Sequence, residues 1–174
     1  KRGWRSSTII SISIGQGELL ATPLQIANLA AFIAHKGYFY TPHMVRMVGN
    51  DSVDVAYRTA HKVPIKETYF DVVIEGMHRA VKKGTARFGQ IPGIEFCGKT
   101  GTAQNPHGDD HSIFMGFAPK DDPQIAISVY VENSGFGATW AVPIASLMIE
   151  KYLHITIAPE RKAIEQRMLE KSFY

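Results

Sequence analysis

Eight residues decide between two kinds of fold for this chain. Gly93-Ile94-Glu95-Phe96-Cys97-Gly98-Lys99-Thr100 fits the phosphate-loop pattern G-x-x-x-x-G-K-[ST] at every position. That pattern belongs to a strand-loop-helix unit, in which a hydrophobic strand precedes the first glycine and a helix begins at the lysine. The flanks here supply neither. Gly89-Gln90-Ile91-Pro92 reads as a turn, and Gly101, Asn105 and Pro106 follow Lys99 as poor helix material. Ile94, Glu95, Phe96 and Cys97 read instead as the start of a strand running from about Ile94 to Gln104. The fold must then present Lys99-Thr100-Gly101-Thr102 on a sheet, not at a helix start.

The remaining pattern supports a mixed α+β chain. Thr22 is a helix cap, Pro23 suits the first helical position and Gly37 stops the helix just past His35. Leu24 to Ala34 is interrupted only by Gln25 and Asn28, so this helix is expected to be buried on most of its circumference. A second helix is predicted from Glu67 to about Lys83, with Phe70, Val73, Met77 and Val81 on its buried face. Arg79, Lys82 and Lys83 complement the dipole in its last turn, and Gly84 ends it. Thr41 to Val48 reads as extended, while Gly49 to Val63 is a polar excursion without a clear pattern.

After Asn105-Pro106-His107-Gly108-Asp109-Asp110 come two further strands joined by Lys120-Asp121-Asp122-Pro123. In the second of them Ile125, Ile127, Val129 and Val131 alternate with Ala126, Ser128, Tyr130 and Glu132, giving two unequal faces. Three strands with short connections predict an antiparallel sheet. Helices follow from Ala141 to about Tyr152 and from Ala158 to Lys171.

The chain has 174 residues, with 19 Lys and Arg against 16 Asp and Glu, a net charge of +3. The basic residues are dispersed, which is no footprint for nucleic acid. Cys97 is the single cysteine, so no internal disulfide is possible, and it reads as a small buried strand residue. His107, Asp109, Asp110 and His111 have metal-ligand chemistry but sit in a polar Gly- and Pro-containing loop, so they read as solvated and no metal or cofactor is expected. Gln16, Gly17, Gly135 and Gly137 read as turn formers, with a place at the rim of a cleft as the alternative.

Gly98-Lys99-Thr100-Gly101-Thr102-Ala103-Gln104 resembles the third catalytic motif of the class B penicillin-binding proteins, the transpeptidases that cross-link peptidoglycan. Ile14-Gly15-Gln16-Gly17, Ala21 to Ala27, Glu75-Gly76-Met77, Gly84-Thr85-Ala86, Phe114 to Pro119 and Ala141 to Ala145 resemble the same family in order and spacing, nearest to its penicillin-binding protein 2 branch. The resemblance implies a serine β-lactamase-like transpeptidase fold. The family's Ser-x-x-Lys and Ser-x-Asn motifs are absent, since no serine here has Lys three places on or Asn two places on. The expectation is therefore the C-terminal part of one transpeptidase domain, with about 1–153 matching the family and 154–174 a tail. Such a chain alone is expected to be inactive.

In acyl transfer the carbonyl oxygen becomes an anion that needs amide donors already in place. The resemblance implies that the Thr102 N–H is one donor, that Lys99 supplies positive charge beside the absent serines, and that Thr100 and Thr102 offer hydroxyls to the substrate carboxylate. Gly101 would let substrate backbone approach the strand. Expected partners are peptidoglycan stem peptides and β-lactams, bound by strand addition. A membrane-anchored parent on the periplasmic side is implied as well. A β-lactamase or D,D-carboxypeptidase of the same fold, or a β-lactam sensor, remain alternatives. In the family two upstream strands lie beside the last strand, so this chain is expected to self-associate or to pair with its N-terminal half.

Overall fold

The computed structural model describes residues 5–17 and 19–171. Its centre is a three-stranded antiparallel sheet, for which the strands must first be placed. Short elements come early: α1 (Ser6–Ser13), α2 (Pro23–Ala34), β1 (Tyr38–Phe39), β2 (Met47–Val48), β3 (Asp51–Ser52), α3 (Val55–Arg58) and β4 (His61–Lys62). The main elements follow as α4 (Glu67–Lys82), β5 (Cys97–Ala103), β6 (His111–Ala118), β7 (Ile125–Val131), α5 (Ala141–His154) and α6 (Lys162–Glu170). Strand order in the main sheet is β5-β6-β7, with Cys97 opposite Phe117, Ala103 opposite His111 and Ser112 opposite Val131.

Alternation along these strands makes two cores. Cys97, Met115, Phe117 and Ala126 face α2 and α4, where they pack with Ile33, Phe70, Ile74 and Met77. Phe114, Ala118, Ile127 and Val129 face the other way, onto Val142, Ala145 and Ile149 of α5, joined by Phe96 from just before β5. Gly98 and Gly116 are opposite one another, and a side chain at either would collide with the Phe114 ring. The two glycines thus form a shallow seat that the ring fills.

The helix at Pro23 starts as expected. Thr22 accepts from the Gln25 backbone N–H while the Gln25 side chain accepts from the Thr22 N–H, a capping box worth about 1 kcal/mol. Burial of most of its circumference is not found. Ala30 and Ile33 are buried against the sheet, but Leu24 is 59% and Leu29 47% exposed, because α2 has the sheet, α4 and β1 on one side only. In α4 the buried stripe is Phe70, Ile74, Met77, His78 and Val81, and Val73 turns outward.

Three boundaries also shift. The Lys99 strand begins at Cys97, not Ile94, because Ile94 instead bridges back to Ile91. Of Thr41 to Val48 only the last two residues form strand, paired with Asp51 and Ser52 through a Gly49-Asn50 turn. The tail divides into a 3₁₀ turn, Pro159–Arg161, and α6. Helix α1 was not foreseen; three isoleucines stand among five hydroxyl residues in it, and none of the eight is buried. Residues 1–4, 18 and 172–174 of the expected domain span lie outside the described residues.

Candidate active site

All four residues expected to carry the chemistry, Lys99, Thr100, Gly101 and Thr102, lie on β5, which among the described residues is an edge strand paired with β6 alone. Lys99 opens no helix, so the phosphate-loop geometry is absent. On a strand, the N–H and C=O of one residue point to the same side. The Thr102 carbonyl accepts a bond from Gln16 Nε2 at 3.0 Å, so it faces away from β6, and the Thr102 amide faces that open edge with it. By alternation the Thr100 carbonyl points outward too, where Lys99 Nζ donates to it at 2.8 Å.

The side chains divide between the faces. Lys99 and Gly101 share the α2 and α4 face with Cys97, whereas Thr100 and Thr102 share the α5 face with Gly98. The ammonium and the hydroxyls therefore meet only around the strand's rim. Thr100 Oγ1 lies 2.8 Å from Thr85 Oγ1, so its hydroxyl is already oriented by a neighbour. Thr85 reaches it because the chain reverses tightly after α4: a side chain at Gly84 would strike the Ala80 backbone, and Ala86 N–H donates to the Ala80 carbonyl at 3.0 Å. At Gly101 an added Cβ would meet Ile113 at an ordinary 3.4 Å, so nothing within the chain requires glycine there.

A loop braces the α5 face beneath Thr100. Gly137 lies so close to β5 and β6 that a Cβ would fall 2.5 Å from the carbonyls of Gly101 and Ile113. Ser112, fully buried, donates to the Phe136 carbonyl at 3.0 Å and accepts from the Ala141 N–H at 3.1 Å, fastening this loop and the start of α5 to β6. The loop that carries the candidate metal ligands is scaffolding. The Asp110 carboxylate accepts from the Asn105 N–H, the Asp110 carbonyl accepts from Ser134 and Gly135, and His111 Nδ1 accepts from the Asn133 N–H. Among the described residues no group of three or more His, Cys, Asp or Glu converges as metal ligands would.

Cys97 is fully buried, and burial pushes its thiol up to about 12. Gln16, for which the cleft rim was the alternative reading, does reach the strand, though its bond to Thr102 was not foreseen, and the Thr85 contact was not foreseen at all. A signal existed for Gln16, a polar residue held between two glycines; for Thr85 no local pattern announces the partner.

The chain matches the penicillin-binding protein transpeptidase domain over residues 1–150. It belongs to that family. Among relatives, it is 36% identical over 159 residues to the peptidoglycan D,D-transpeptidase MrdA of Acinetobacter baumannii, covering 81% of this chain and 24% of the relative. To the peptidoglycan D,D-transpeptidase PbpA of Mycobacterium tuberculosis it is 32% identical over 166 residues, covering 85% of this chain and 32% of that one. Among solved structures, PBP2 of Pseudomonas aeruginosa superposes with a TM-score of 0.79 at 31% identity, over 91% of this chain and 36% of that one. The chain thus spans about a quarter of the length of the first of these curated relatives and about a third of the second. Membership and fold agree with the α+β, antiparallel-sheet architecture expected from the residues.

Proposed function

We propose that the intact protein carrying this chain is a peptidoglycan D,D-transpeptidase of the penicillin-binding protein 2 kind, and that the outer rim of β5 is its substrate edge. The observation that supports this is an open strand edge bearing Lys-Thr-Gly-Thr, with the Thr102 amide turned outward, in a chain of this family. A serine outside this chain attacks the D-Ala-D-Ala carbonyl of a stem peptide. The C–N bond breaks, terminal D-Ala leaves as an amine with the serine's proton, and an acyl ester remains. An amine of a neighbouring stem then attacks the ester, and the serine recovers a proton as the C–O bond breaks. β-Lactams enter by the first step alone.

In this reading the Thr102 N–H donates to the developing oxyanion, where one such donor lowers the barrier by ~3–4 kcal/mol. Lys99 brings positive charge to the nucleophile and to the substrate carboxylate. The hydroxyls of Thr100 and Thr102 receive that carboxylate, and the peptide pairs with the strand edge past Gly101. The chain is then one part of a single domain, working on the periplasmic side of a membrane that the parent is anchored to. Among the described residues no helix is long and apolar enough to cross a membrane.

The test is acylation of the intact protein by a fluorescent penicillin. The wild type should label stoichiometrically, Lys99→Ala should label at least tenfold more slowly, and Thr102→Pro, which removes the amide donor, roughly a hundredfold to a thousandfold more slowly. Variants labelling at the wild-type rate would overturn the roles given to β5. The 174-residue chain alone should gain no adduct by intact-mass analysis; an adduct lost on mutating one of its own serines would place the nucleophile here instead.

A further inference from the structure

We propose that Gln16 is a positioning residue of the substrate edge, holding the Thr102 carbonyl so that the Thr102 amide is aimed before substrate arrives. The inference rests on the transpeptidase reading above and adds to it a residue from outside the strand. The turn that presents Gln16 is built for the purpose. Gly15 and Gly17, on either side, have φ of 75° and 84°, a region that side chains avoid. The Gln16 N–H donates to the Ser11 carbonyl at 3.0 Å and the Gly15 N–H to the Ile12 carbonyl at 2.9 Å, so the turn is tied to the end of α1. Gly17 is packed as well: a Cβ there would meet Ser11 Oγ at 2.8 Å. From this base the carboxamide reaches a strand 86 residues away in sequence.

The chemistry of the contact leaves one orientation. A backbone carbonyl only accepts, so the amide nitrogen of Gln16 must be the group facing Thr102. The strand needs such a hold. Gly101, the residue before Thr102, is the most permissive in backbone, and β5 ends at Ala103. An inner strand is fixed by neighbours on both sides; β5 has one, and Gln16 supplies from a distant turn what a second strand would supply. A carbonyl has two lone pairs, so the Thr102 oxygen can keep Gln16 and still accept an N–H from a peptide or a β-lactam side chain. Gln16 therefore orients the edge without closing it.

The test separates binding from chemistry in the intact protein, using saturation kinetics of acylation by a chromogenic cephalosporin. Gln16→Ala is expected to lower the acylation rate constant about tenfold while the dissociation constant of the preceding complex changes less than about twofold. Gln16→Glu should be slow at pH 7.5, where a carboxylate cannot donate, and should recover relative to wild type as pH falls toward 5 and the protonated carboxyl becomes a donor. A variant that is merely misfolded would melt early and gain nothing from acid. A Gln16→Ala rate constant equal to wild type, or a pH-independent ratio for Gln16→Glu, overturns the role of Gln16 and leaves the transpeptidase reading standing. Wild-type protein that takes no β-lactam overturns both.

Discussion

Burial decides what Cys97 can do. Its thiol is fully enclosed between β5 and α4, with Sγ donating to the Ile74 carbonyl at 3.6 Å. Loss of solvation is the largest cause of its raised pKa, opposed by the charge of Lys120, and carries it from the usual 9.0 to about 12. Native protein at pH 8 should therefore resist iodoacetamide at Cys97, and urea should expose it to rapid alkylation. The linkage has a sign. Below pH 9 the thiol is protonated in both states; above it the unfolded chain loses the proton and the folded chain does not, so stability falls as pH rises from 9 toward 12. Urea midpoints between pH 8 and pH 10 should fall more steeply in wild type than in Cys97→Ala. Equal slopes, or alkylation of the native thiol at pH 8, would contradict this account. Single residues were legible in the sequence where their reason is local: the placement of Lys99 and Thr102 on a strand follows from the flanking pattern, their proposed roles came only from the family resemblance, and the burial of Cys97 follows from its strand position. The partners of Gln16 and Thr85 were not, because each acts on a strand that only the folded chain brings near.

Elements were legible where their own residues specify them. The caps, the glycine stops and the alternation of β7 gave α2, α4 and the antiparallel sheet, because those signals are written in consecutive residues. What covers an element is written elsewhere in the chain, which is why α2, apolar but for Gln25 and Asn28, was expected to be enclosed and is not. The same reason explains α6, which read as a plain polar helix. Its attachment lies in Arg161, just before it, which is buried and bonds Glu150 at 2.6 Å, Ser146 Oγ at 2.7 Å and the Gln90 carbonyl. The other Glu150 oxygen accepts from the Ala158 N–H at 2.9 Å. One guanidinium thus fastens the tail to α5 and to the turn before β5. Arg161→Ala should destabilise the chain by about 3–5 kcal/mol, since it strands a buried carboxylate. The double variant Arg161→Met/Glu150→Leu should recover most of that in urea unfolding, because it leaves no unpaired charge. A single variant within about 0.5 kcal/mol of wild type would show that the network does not hold the tail.

At the scale of the whole molecule, the sheet has no further strand on either side among the described residues, and the two edges are not alike. Along β5 the outward carbonyls of Thr100 and Thr102 each hold one donor, Lys99 Nζ and Gln16, and leave a lone pair for a bound peptide, while the charge of Lys99 at the rim discourages pairing with a second copy of the chain. At β7 the outer edge has no strand beside it, and next to it lies an apolar groove of about 650 Å³ lined by Ile125, Leu147, Met148, Tyr152, Ile157 and Leu169. Apolar side chains are also uncovered around the first two helices, with Ile9 58%, Ile10 65%, Ile14 71% and Leu20 91% exposed. An open strand beside exposed apolar surface favours association. The chain on its own should therefore form a dimer or larger assembly at micromolar concentration, paired through β7 rather than β5. Sedimentation velocity of the wild type should show more than a 19.3 kDa species. Tyr130→Lys, which places a charge on the half-exposed side of β7, should shift the distribution toward monomer, while Lys99→Ala should not. A wild-type chain that sediments as a monomer, or an assembly indifferent to Tyr130→Lys, would mean that the β7 edge is protected by something other than a partner strand.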